Sequence, residues 1–329
     1  YPYLKFYKIN TKTPIWVKFI NKICFLLLKK NLLTPSLSPK VVDCIIGLTS
    51  TNFDKYIEKI PIKFYWIPDF QEHYLPYFFS SEEIKSRKIM QTELAYSNKN
   101  IVLSSHSAFE NFKQIYPGYS ANVYVIPFAI TVPAVDENEY ALVRRKYQLP
   151  EHYFYCPNQF WQHKNHVIVL RALIKAVKKG TPFYVVFSGY TEDYRNKAYF
   201  SEIQQFIQEN KLVDYVRILG FIDRREQLLI LKHSKALIQP SKFEGWSSTI
   251  EEAKAFSKPI LSSDIPVHRE QLKEFAYYFN PDDEETLINA IEQLNNDTTK
   301  KIYPYPYQEV IENYAMQWID NINKAVSYK

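Results

Sequence analysis

The chain has 329 residues, of which 46% are hydrophobic and 23% charged, and its formal net charge at pH 7 is +6. This composition excludes a disordered chain, and the length suffices for two domains of ordinary size. No apolar run approaches the roughly 20 residues that a membrane-spanning helix needs, and the three widely spaced cysteines favour a reducing, cytoplasmic compartment.

The positive charge is concentrated in the first half of the chain. Residues 1–148 carry 19 Lys and Arg residues against 12 Asp and Glu residues, and residues 1–63 carry 11 against 3. Such a surface attracts anionic lipid headgroups, so we expect peripheral contact with the inner face of a membrane; a solvated surface is the alternative. No nucleic-acid-binding module accompanies the charge, so nucleic acid is not an expected partner.

The first half predicts an α/β domain. Its predicted strands are 43–48, 63–67, 101–104 and 123–126, and its predicted helices are 14–31, 81–96 and 107–115. The pairs Ser80 with Glu83 and Ser107 with Glu110 have the spacing of a capping box at a helix start. We interpret residues 127–149, which contain two prolines and an acidic patch, as the link between two domains.

The second half predicts a second α/β domain by regular alternation of strands and helices. The predicted strands are 153–156, 183–188, 216–219, 236–239, 259–261 and 276–279. Amphipathic helices are predicted at 165–179, 196–210, 224–233, 248–257 and 282–296. This alternation is typical of a parallel sheet with helices on both faces, whose ligands bind beyond the carboxyl ends of the strands.

The segment after the strand 236–239 carries the clearest chemical signal in the chain. Glu244 and Glu252 flank a glycine-containing turn and a run of small hydroxyl residues that opens a helix. The unpaired N–H groups and the dipole of a helix N-terminus favour an anion such as a diphosphate. Ionised carboxylates accept hydrogen bonds from sugar hydroxyls. Together these features predict a site for a nucleotide sugar.

The same segment resembles a known family. Glu244, seven intervening residues and then Glu252-Ala253 are similar to the paired-glutamate motif of the retaining GT-B glycosyltransferases of family four, also called glycosyl transferases group 1. The strand 259–263 and the strand and glycine turn at 216–222 extend the resemblance, which covers roughly residues 150–295 well and the first half more loosely. The family's first domain usually opens with a strand and a glycine-rich loop. No such loop is found before residue 40, so we expect an N-terminal piece to be missing.

The resemblance implies a GT-B fold, in which two Rossmann-like, doubly wound domains face each other across a cleft. Residues 1–148 are then the acceptor-side domain and residues 149–329 the donor-binding domain. The implied activity is retaining transfer of a hexose without a metal or other cofactor. We therefore interpret the acidic run Asp282-Asp283-Glu284 as a helix start, where such residues are favourable, and not as a metal site.

The resemblance also assigns roles to single residues. Glu252 is expected to hold the ribose hydroxyls, Glu244 the hydroxyls of the transferred sugar, and Lys164 the diphosphate. The family often has an arginine where this chain has Gln159, whose neutral amide supplies no full charge. The remaining donor-binding positions implied by the resemblance are Asn158, Phe221, Ile222, Gly245, Trp246, Ser247 and Ser248.

On the acceptor side the best candidates follow the strand 63–67. His73 lies in a segment similar to one that, in related transferases, brings a histidine towards the donor sugar. Asp69 or Glu72 are expected to orient that histidine or to contact the acceptor. An ordinary surface loop is the alternative interpretation of this segment.

The predicted function is transfer of a sugar from a nucleotide-diphosphate sugar to an acceptor hydroxyl with retention of anomeric configuration. The family's habits suggest a saccharide or lipid-linked acceptor in bacterial cell-envelope polysaccharide synthesis. Two alternatives remain open from the sequence: a GT-B epimerase or phosphorylase acting on sugar phosphates, and a non-catalytic subunit that binds a nucleotide sugar.

Overall fold

The structure is a computed structural model that describes residues 44–51, 55–299 and 301–327. The predicted helix 14–31 lies outside the described residues. The described residues form two all-parallel β-sheets, each covered by helices. Within these residues, no helix is long and apolar enough to cross a membrane.

The first sheet has four strands in chain order, each parallel to its neighbour. The strands are β1 Cys44–Leu48, β2 Ile62–Ile67, β3 Asn100–Leu103 and β4 Asn122–Val125. The connecting helices are α1 Lys55–Lys59, α2 Gln71–Tyr74, α3 Ser81–Ala95 and α4 His106–Ile115. Phe64 and Ile101 are fully buried, because a parallel sheet is packed on both faces.

Of the two predicted capping boxes, one is confirmed and one is wrong. Ser80 and Glu83 exchange both hydrogen bonds of the box at the start of α3. Helix α4 begins instead at His106, with Ser105 as its N-cap; the Ser105 hydroxyl accepts a hydrogen bond from the N–H of Ala108 at 2.9 Å. The prediction failed because Ser105 adopts the extended N-cap conformation two residues before Ser107.

The second sheet has six parallel strands in the order β10-β9-β8-β5-β6-β7. Strands β6 and β7 follow on one side of β5, and strands β8, β9 and β10 follow on its other side. The strands are β5 Phe154–Cys156, β6 Val185–Phe187, β7 Val216–Ile218, β8 Ala236–Gln239, β9 Ile260–Ser263 and β10 Tyr277–Phe279. This reversal is the doubly wound order, and the crevice for a ligand lies where the order reverses, between β5 and β8.

The helices of the second half cover both faces of this sheet. They are α6 His166–Lys178, α7 Tyr199–Glu209, α8 Arg224–His233, α9 Ser248–Ala255, α10 Pro266–Leu272 and α11 Glu284–Asn296. The predicted strands and helices are confirmed with small shifts at their ends, except that α10 was not predicted. Asp283 caps the start of α11 by accepting from the N–H of Glu285, which confirms the interpretation of that acidic run as a helix start.

Two helices that the sequence did not predict each pack against the sheet of the other half of the chain. The predicted domain boundary at residue 148 stays a prediction. Helix α5, Tyr140–Lys146, lies within the predicted link, and its Val143 joins the core of the second sheet. Helix α12, Tyr307–Ser327, ends the described chain, yet its Trp318 packs edge-on against Phe64 of the first sheet, with ring centroids 5.7 Å apart. The chain therefore passes between the two domains twice.

Candidate active site

A cavity of about 340 Å³ lies at the carboxyl ends of β5 and β8. The residues that line it come from the loops after several strands of the second sheet and from the start of α9. They are Pro157, Asn158, Gln159, Trp161, Lys164, Ser188, Gly189, Tyr190, Phe221, Ile222, Arg224, Gln227, Glu244, Trp246, Ser247, Ser248, Thr249 and Glu252. The cavity is thus at the crevice that the strand order predicts.

Glu244 and Lys164 form an ion pair in the wall of this cavity. The Nζ atom of Lys164 lies 2.6 Å from Oε1 of Glu244, and both side chains are largely buried. Lys164 ends a short 3-10 turn, which Asn165 closes in the left-handed conformation with φ 57°. The Asn165 amide donates to the carbonyl oxygens of Pro240 and Pro281. These bonds fix the turn to the loops after β8 and β10.

Glu252 forms a second ion pair on the same wall. Its carboxylate is buried and accepts hydrogen bonds from Arg224 Nη1 at 2.6 Å and from Gln227 Nε2 at 3.3 Å. Burial raises the pKa of Glu252 above its ordinary value, and the Arg224 guanidinium partly opposes that rise. The second glutamate of the motif is therefore a buried acceptor beside the cavity.

The helix α9 begins between the two glutamates. Ser247 is its N-cap and accepts a hydrogen bond from the N–H of Ile250. The capping-box pairing of Ser248 with Glu251 that the spacing suggests does not form. Glu251 is instead fully buried and pairs with Lys254 at 3.0 Å, and it accepts a hydrogen bond from the Tyr307 hydroxyl at 2.8 Å. Because Ser247 and not Ser248 is the N-cap, Glu251 lies one residue past the position that a capping box uses.

Two stacked aromatic rings are part of the cavity lining. Tyr190 and Phe221 are stacked with centroids 4.2 Å apart and an interplanar angle of 17°. Phe221 is 68% exposed, whereas its neighbour Ile222 is buried. The sequence analysis did not identify Tyr190 as a site residue. The signal that could have found it is its position just after β6 and next to Gly189. At Gly189 a Cβ atom would meet the Asn158 carbonyl oxygen at 2.4 Å, so the two loops approach closely there.

The loop that carries Glu244 contacts the first domain directly. A Cβ atom on Gly245 would meet the carbonyl oxygen of Pro68 at 2.0 Å, so only glycine fits this approach. Trp246 Nε1 donates to the carbonyl oxygen of Phe128 at 3.0 Å. Burial raises the pKa of Asp69, which follows Pro68, and the nearby carboxylates of Glu72 and Glu244 add to the rise. The acceptor-side candidate Asp69 therefore lies close to the loop that carries Glu244.

The acceptor-side candidates lie outside the cavity lining. Glu72 is buried and accepts hydrogen bonds from Gln91 Nε2 at 2.6 Å and Arg87 Nη1 at 3.3 Å. His73 is exposed, with its ring packed edge-on against Tyr74 at 5.2 Å. The structure brings Glu244, Glu252, Lys164 and the other donor-side candidates except Gly245 together in the cavity lining, and it leaves Glu72 and His73 apart. Their roles stay predictions.

Two buried histidines flank Lys164 but form no metal pair. Burial lowers the pKa of His163 to about 2 and that of His166 to about 3, so both are neutral at pH 7. His166 stacks on Phe160 with ring centroids 4.4 Å apart. Among the described residues, no group of three His, Cys, Asp or Glu side chains is placed to hold a metal ion.

The two parallel sheets and the cavity at the strand reversal define a GT-B protein, and solved structures share this fold. Sucrose-phosphate synthase from Thermosynechococcus elongatus is similar with a TM-score of 0.63 at 18% identity, covering 81% of this chain and 68% of that chain. A glycosyltransferase from Rickettsia africae gives 0.62 at 17%, covering 97% and 83%. Anabaena Alr3699/HepE, in complex with UDP and glucose, gives 0.65 at 16%, covering 87% and 77%. The predicted fold is confirmed.

Residues 143–318 match the family described as glycosyl transferases group 1. The chain belongs to this family, which confirms the resemblance drawn from the sequence. Over 198 residues it is 28% identical to the O-antigen chain mannosyltransferase RfbU of Salmonella typhimurium, covering 60% of this chain and 51% of that relative. The chain thus spans about half the length of the curated relative that it matches.

Proposed function

We propose that the protein transfers a hexose from a nucleotide-diphosphate sugar to a hydroxyl of a saccharide or lipid-linked acceptor, with retention of configuration and without a metal. The observation that carries the proposal is that Glu244, Glu252 and Lys164 line one cavity at the start of α9. These groups match the three parts of such a donor: hydroxyls of the sugar, hydroxyls of the ribose, and the diphosphate between them.

The diphosphate fits between Lys164 and the first turn of α9. The backbone N–H groups of Ser248 and Thr249 lie in that turn, where no carbonyl of the same helix can accept from them. The positive end of the helix dipole and the Lys164 ammonium group both favour an anion there. The stacked rings of Tyr190 and Phe221 offer a flat apolar surface to the nucleotide base.

The reaction breaks the bond between the anomeric carbon and a phosphate oxygen, and forms a bond from that carbon to the acceptor oxygen on the same face. The acceptor proton passes to a phosphate oxygen of the leaving group. Lys164 and the α9 N-terminus stabilise the negative charge that develops on the departing diphosphate. In the described part of the chain, the cations that line the cavity are Lys164 and Arg224. Arg224 is thus the available second charge where Gln159 supplies none.

Contacts between the domains limit the access of water, which competes with the acceptor. Gly245 lies against Pro68, and Trp246 bonds to the carbonyl of Phe128. Exclusion of water strengthens the electrostatic interactions around the diphosphate and suppresses hydrolysis of the donor.

Two findings support the choice of donor and pathway. The curated relative is described as an O-antigen chain mannosyltransferase, and a structural neighbour is a complex with UDP and glucose. We therefore propose a hexose nucleotide as the donor, with mannose as the first sugar to test, and synthesis of a bacterial surface polysaccharide as the setting. Contact with an anionic membrane surface remains part of this proposal.

The test is turnover of UDP-, GDP-, ADP- and TDP-hexoses with saccharide and lipid-linked acceptors, in the presence of EDTA. NMR of the product gives the anomeric configuration. Transfer with retention that Glu244→Ala abolishes supports the proposal. Epimerisation of the donor in the absence of an acceptor would show that the protein is an epimerase and not a transferase. Binding of a nucleotide sugar without turnover would identify a non-catalytic subunit, which the neutral Gln159 favours as the second candidate.

A further inference from the structure

A fully buried glutamine stands directly behind Glu244. Gln239 is the last residue of β8, and none of its surface is exposed. Its Nε2 atom donates to Oε1 of Glu244 at 3.0 Å and to the hydroxyl of Ser241 at 3.2 Å. Its Oε1 atom accepts from Asn158 Nδ2 at 3.1 Å and from the Thr249 hydroxyl at 3.2 Å. Both ends of the amide are therefore fully used.

This arrangement permits a single orientation of the Gln239 amide. If the amide were turned over, its carbonyl oxygen would face the carboxylate of Glu244, and its NH₂ group would face the NH₂ group of Asn158. Both contacts are repulsive, since carboxylates only accept hydrogen bonds and amide nitrogens only donate them. Mispaired polar groups in a buried site are costly. The donor that faces Glu244 is thus fixed by its other partners.

The partners of Gln239 belong to separate parts of the donor site. Asn158 follows β5, Thr249 lies in the first turn of α9, and Glu244 lies in the loop between β8 and α9. All three line the cavity. Gln239 itself does not, so its side chain acts on the cavity only through these neighbours.

The hydrogen bonds to Glu244 are unevenly distributed over its two oxygens. Lys164 Nζ and Gln239 Nε2 both donate to Oε1. Among the described residues, no group donates to Oε2, and Glu244 lines the cavity. The flexible stem of Lys164 allows its ammonium group to turn towards a diphosphate, whereas the Gln239 amide is held in place. Gln239 is then the donor that stays on Oε1 when a ligand enters.

We propose that Gln239 is a positioning residue for Glu244: it holds Oε1 so that Oε2 faces the cavity and accepts hydrogen bonds from the transferred sugar. This inference rests on the proposed function, because it assumes a nucleotide sugar in the cavity. Its consequence is specific. Loss of the Gln239 amide weakens recognition of the sugar more than recognition of the nucleoside diphosphate, whose partners Lys164 and the backbone N–H groups at the start of α9 stay in place.

The test compares two ligands on the same variants. Dissociation constants for UDP and GDP, and for UDP-glucose and GDP-mannose, are measured by calorimetry on the full chain at one pH. Gln239→Glu keeps the shape and places a carboxylate against Glu244; Gln239→Met removes the donor with an uncharged side chain of similar length. Because a hydrogen bond to a charged group is lost, affinity for the nucleotide sugar should fall about 10- to 100-fold.

Affinity for the nucleoside diphosphate should fall clearly less than affinity for the nucleotide sugar in both variants. Gln239 reaches the first turn of α9 only through the Thr249 hydroxyl, while Lys164 and the backbone N–H groups of that turn stay in place. The matched control is Ser262→Ala. Ser262 is the register partner of Gln239 on β9, is equally buried and hydrogen-bonded, and does not contact Glu244. Its loss should leave both affinities unchanged. Thermal melting confirms that each variant is folded.

The outcomes separate this inference from the proposed function. Equal weakening of both ligands in the Gln239 variants, or no weakening of either, overturns the positioning role while the proposed function stands. Wild-type protein that binds none of the nucleotide sugars overturns the proposed function, and the inference falls with it. Selective loss of the sugar's contribution in either folded Gln239 variant supports the inference.

Discussion

The Nζ atom of Lys164 lies 2.6 Å from Oε1 of Glu244, although the two residues are 80 positions apart in the chain. The pair forms because β5 and β8 are neighbours in the sheet, so the loops that follow them meet at one edge. Each charge compensates the other while no donor is present. A nucleotide-sugar donor offers its diphosphate to Lys164 and its sugar hydroxyls to Glu244. When the ion pair opens to bind such a donor, neither buried charge is therefore left without a partner.

Replacement of Lys164 by methionine should lower sugar transfer by about 100- to 1000-fold, because a positioned charge at the leaving group is lost. The control is Lys242→Met. Lys242 lies on the same loop as Glu244, but it forms an exposed ion pair with Asp282 outside the cavity, and such pairs contribute little. Turnover with the best donor is measured for both variants. Equal rates in Lys164→Met and Lys242→Met would contradict the role of Lys164.

The affinity for a nucleotide sugar should fall as the pH drops through the mildly acidic range. Only the ionised Glu252 can accept hydrogen bonds from both ribose hydroxyls, and burial raises its pKa above the ordinary value of 4.5. Protonation, and the loss of affinity, therefore begin at a higher pH than for an exposed glutamate. The diphosphate of the ligand is a diester and does not titrate in this range, so calorimetry from pH 7.5 to pH 4.5 reports on the protein.

Two variants check the assignment of this pH dependence to Glu252. Glu252→Gln should bind weakly at every pH and lose the acidic decline. Arg224→Met should move the decline to a higher pH, because the Arg224 guanidinium lowers the pKa of Glu252. An acidic decline that persists in Glu252→Gln belongs to another group and would remove Glu252 from this role.

Local sequence signals predicted the strands well, and they indicated many of the residues that line the cavity. Buried parallel strands such as Ala236–Gln239 are short apolar runs, and side chains that line the cavity follow them in the chain. The residues that the sequence missed owe their roles to distant partners. Nothing near Gln239 in the chain indicates its bond to Asn158, and Tyr190 gains its meaning from Phe221, which follows a different strand.

The errors in the prediction of helices have the same cause. The start of α4 was misplaced by one residue, and its first amides are bonded to Glu270, which lies 164 positions away from His106. Helix α12 was not predicted either. Its apolar side chains pack against the first sheet, whose strands come much earlier in the chain. Contacts between domains are set by the complete fold, which patterns of neighbouring residues do not encode.

Replacement of Gly245 by alanine should separate the two domains. The added Cβ atom would meet the backbone carbonyl oxygen of Pro68 at 2.0 Å, and a backbone atom cannot turn away as a side chain does. The expected cost is about 1–3 kcal/mol, as for other overpacked sites. The melting temperature should fall, and small-angle scattering should show a larger radius of gyration.

The control for this prediction is Gly118→Ala. A Cβ atom there meets nothing within 4 Å, and the substitution only strains a turn with φ +74° in the first domain. That variant should lose some stability and keep the radius of gyration of the wild type. Unchanged dimensions in Gly245→Ala would mean that the loop yields locally, and that the contact with Pro68 does not set the distance between the domains.

Glu270 of the second domain should protect the first amides of α4 in the first domain. Its two carboxylate oxygens accept from the N–H groups of His106 and Ser107 at 2.8 and 2.9 Å. A negative charge at a helix N-terminus is favourable, and loss of a cap costs about 0.5–2 kcal/mol. In Glu270→Gln, the side-chain amide can accept only one of these hydrogen bonds, and the charge is gone.

Hydrogen exchange of single amides measures this effect, since local opening is reported residue by residue. Exchange at His106 and Ser107 should become faster in Glu270→Gln, while Ala108 keeps its protection through Ser105. Ser105→Ala should give the opposite pattern, with faster exchange at Ala108 and no change in the contact between the domains. If His106 and Ser107 exchange at wild-type rates in Glu270→Gln, the carboxylate does not hold the two domains together at this point.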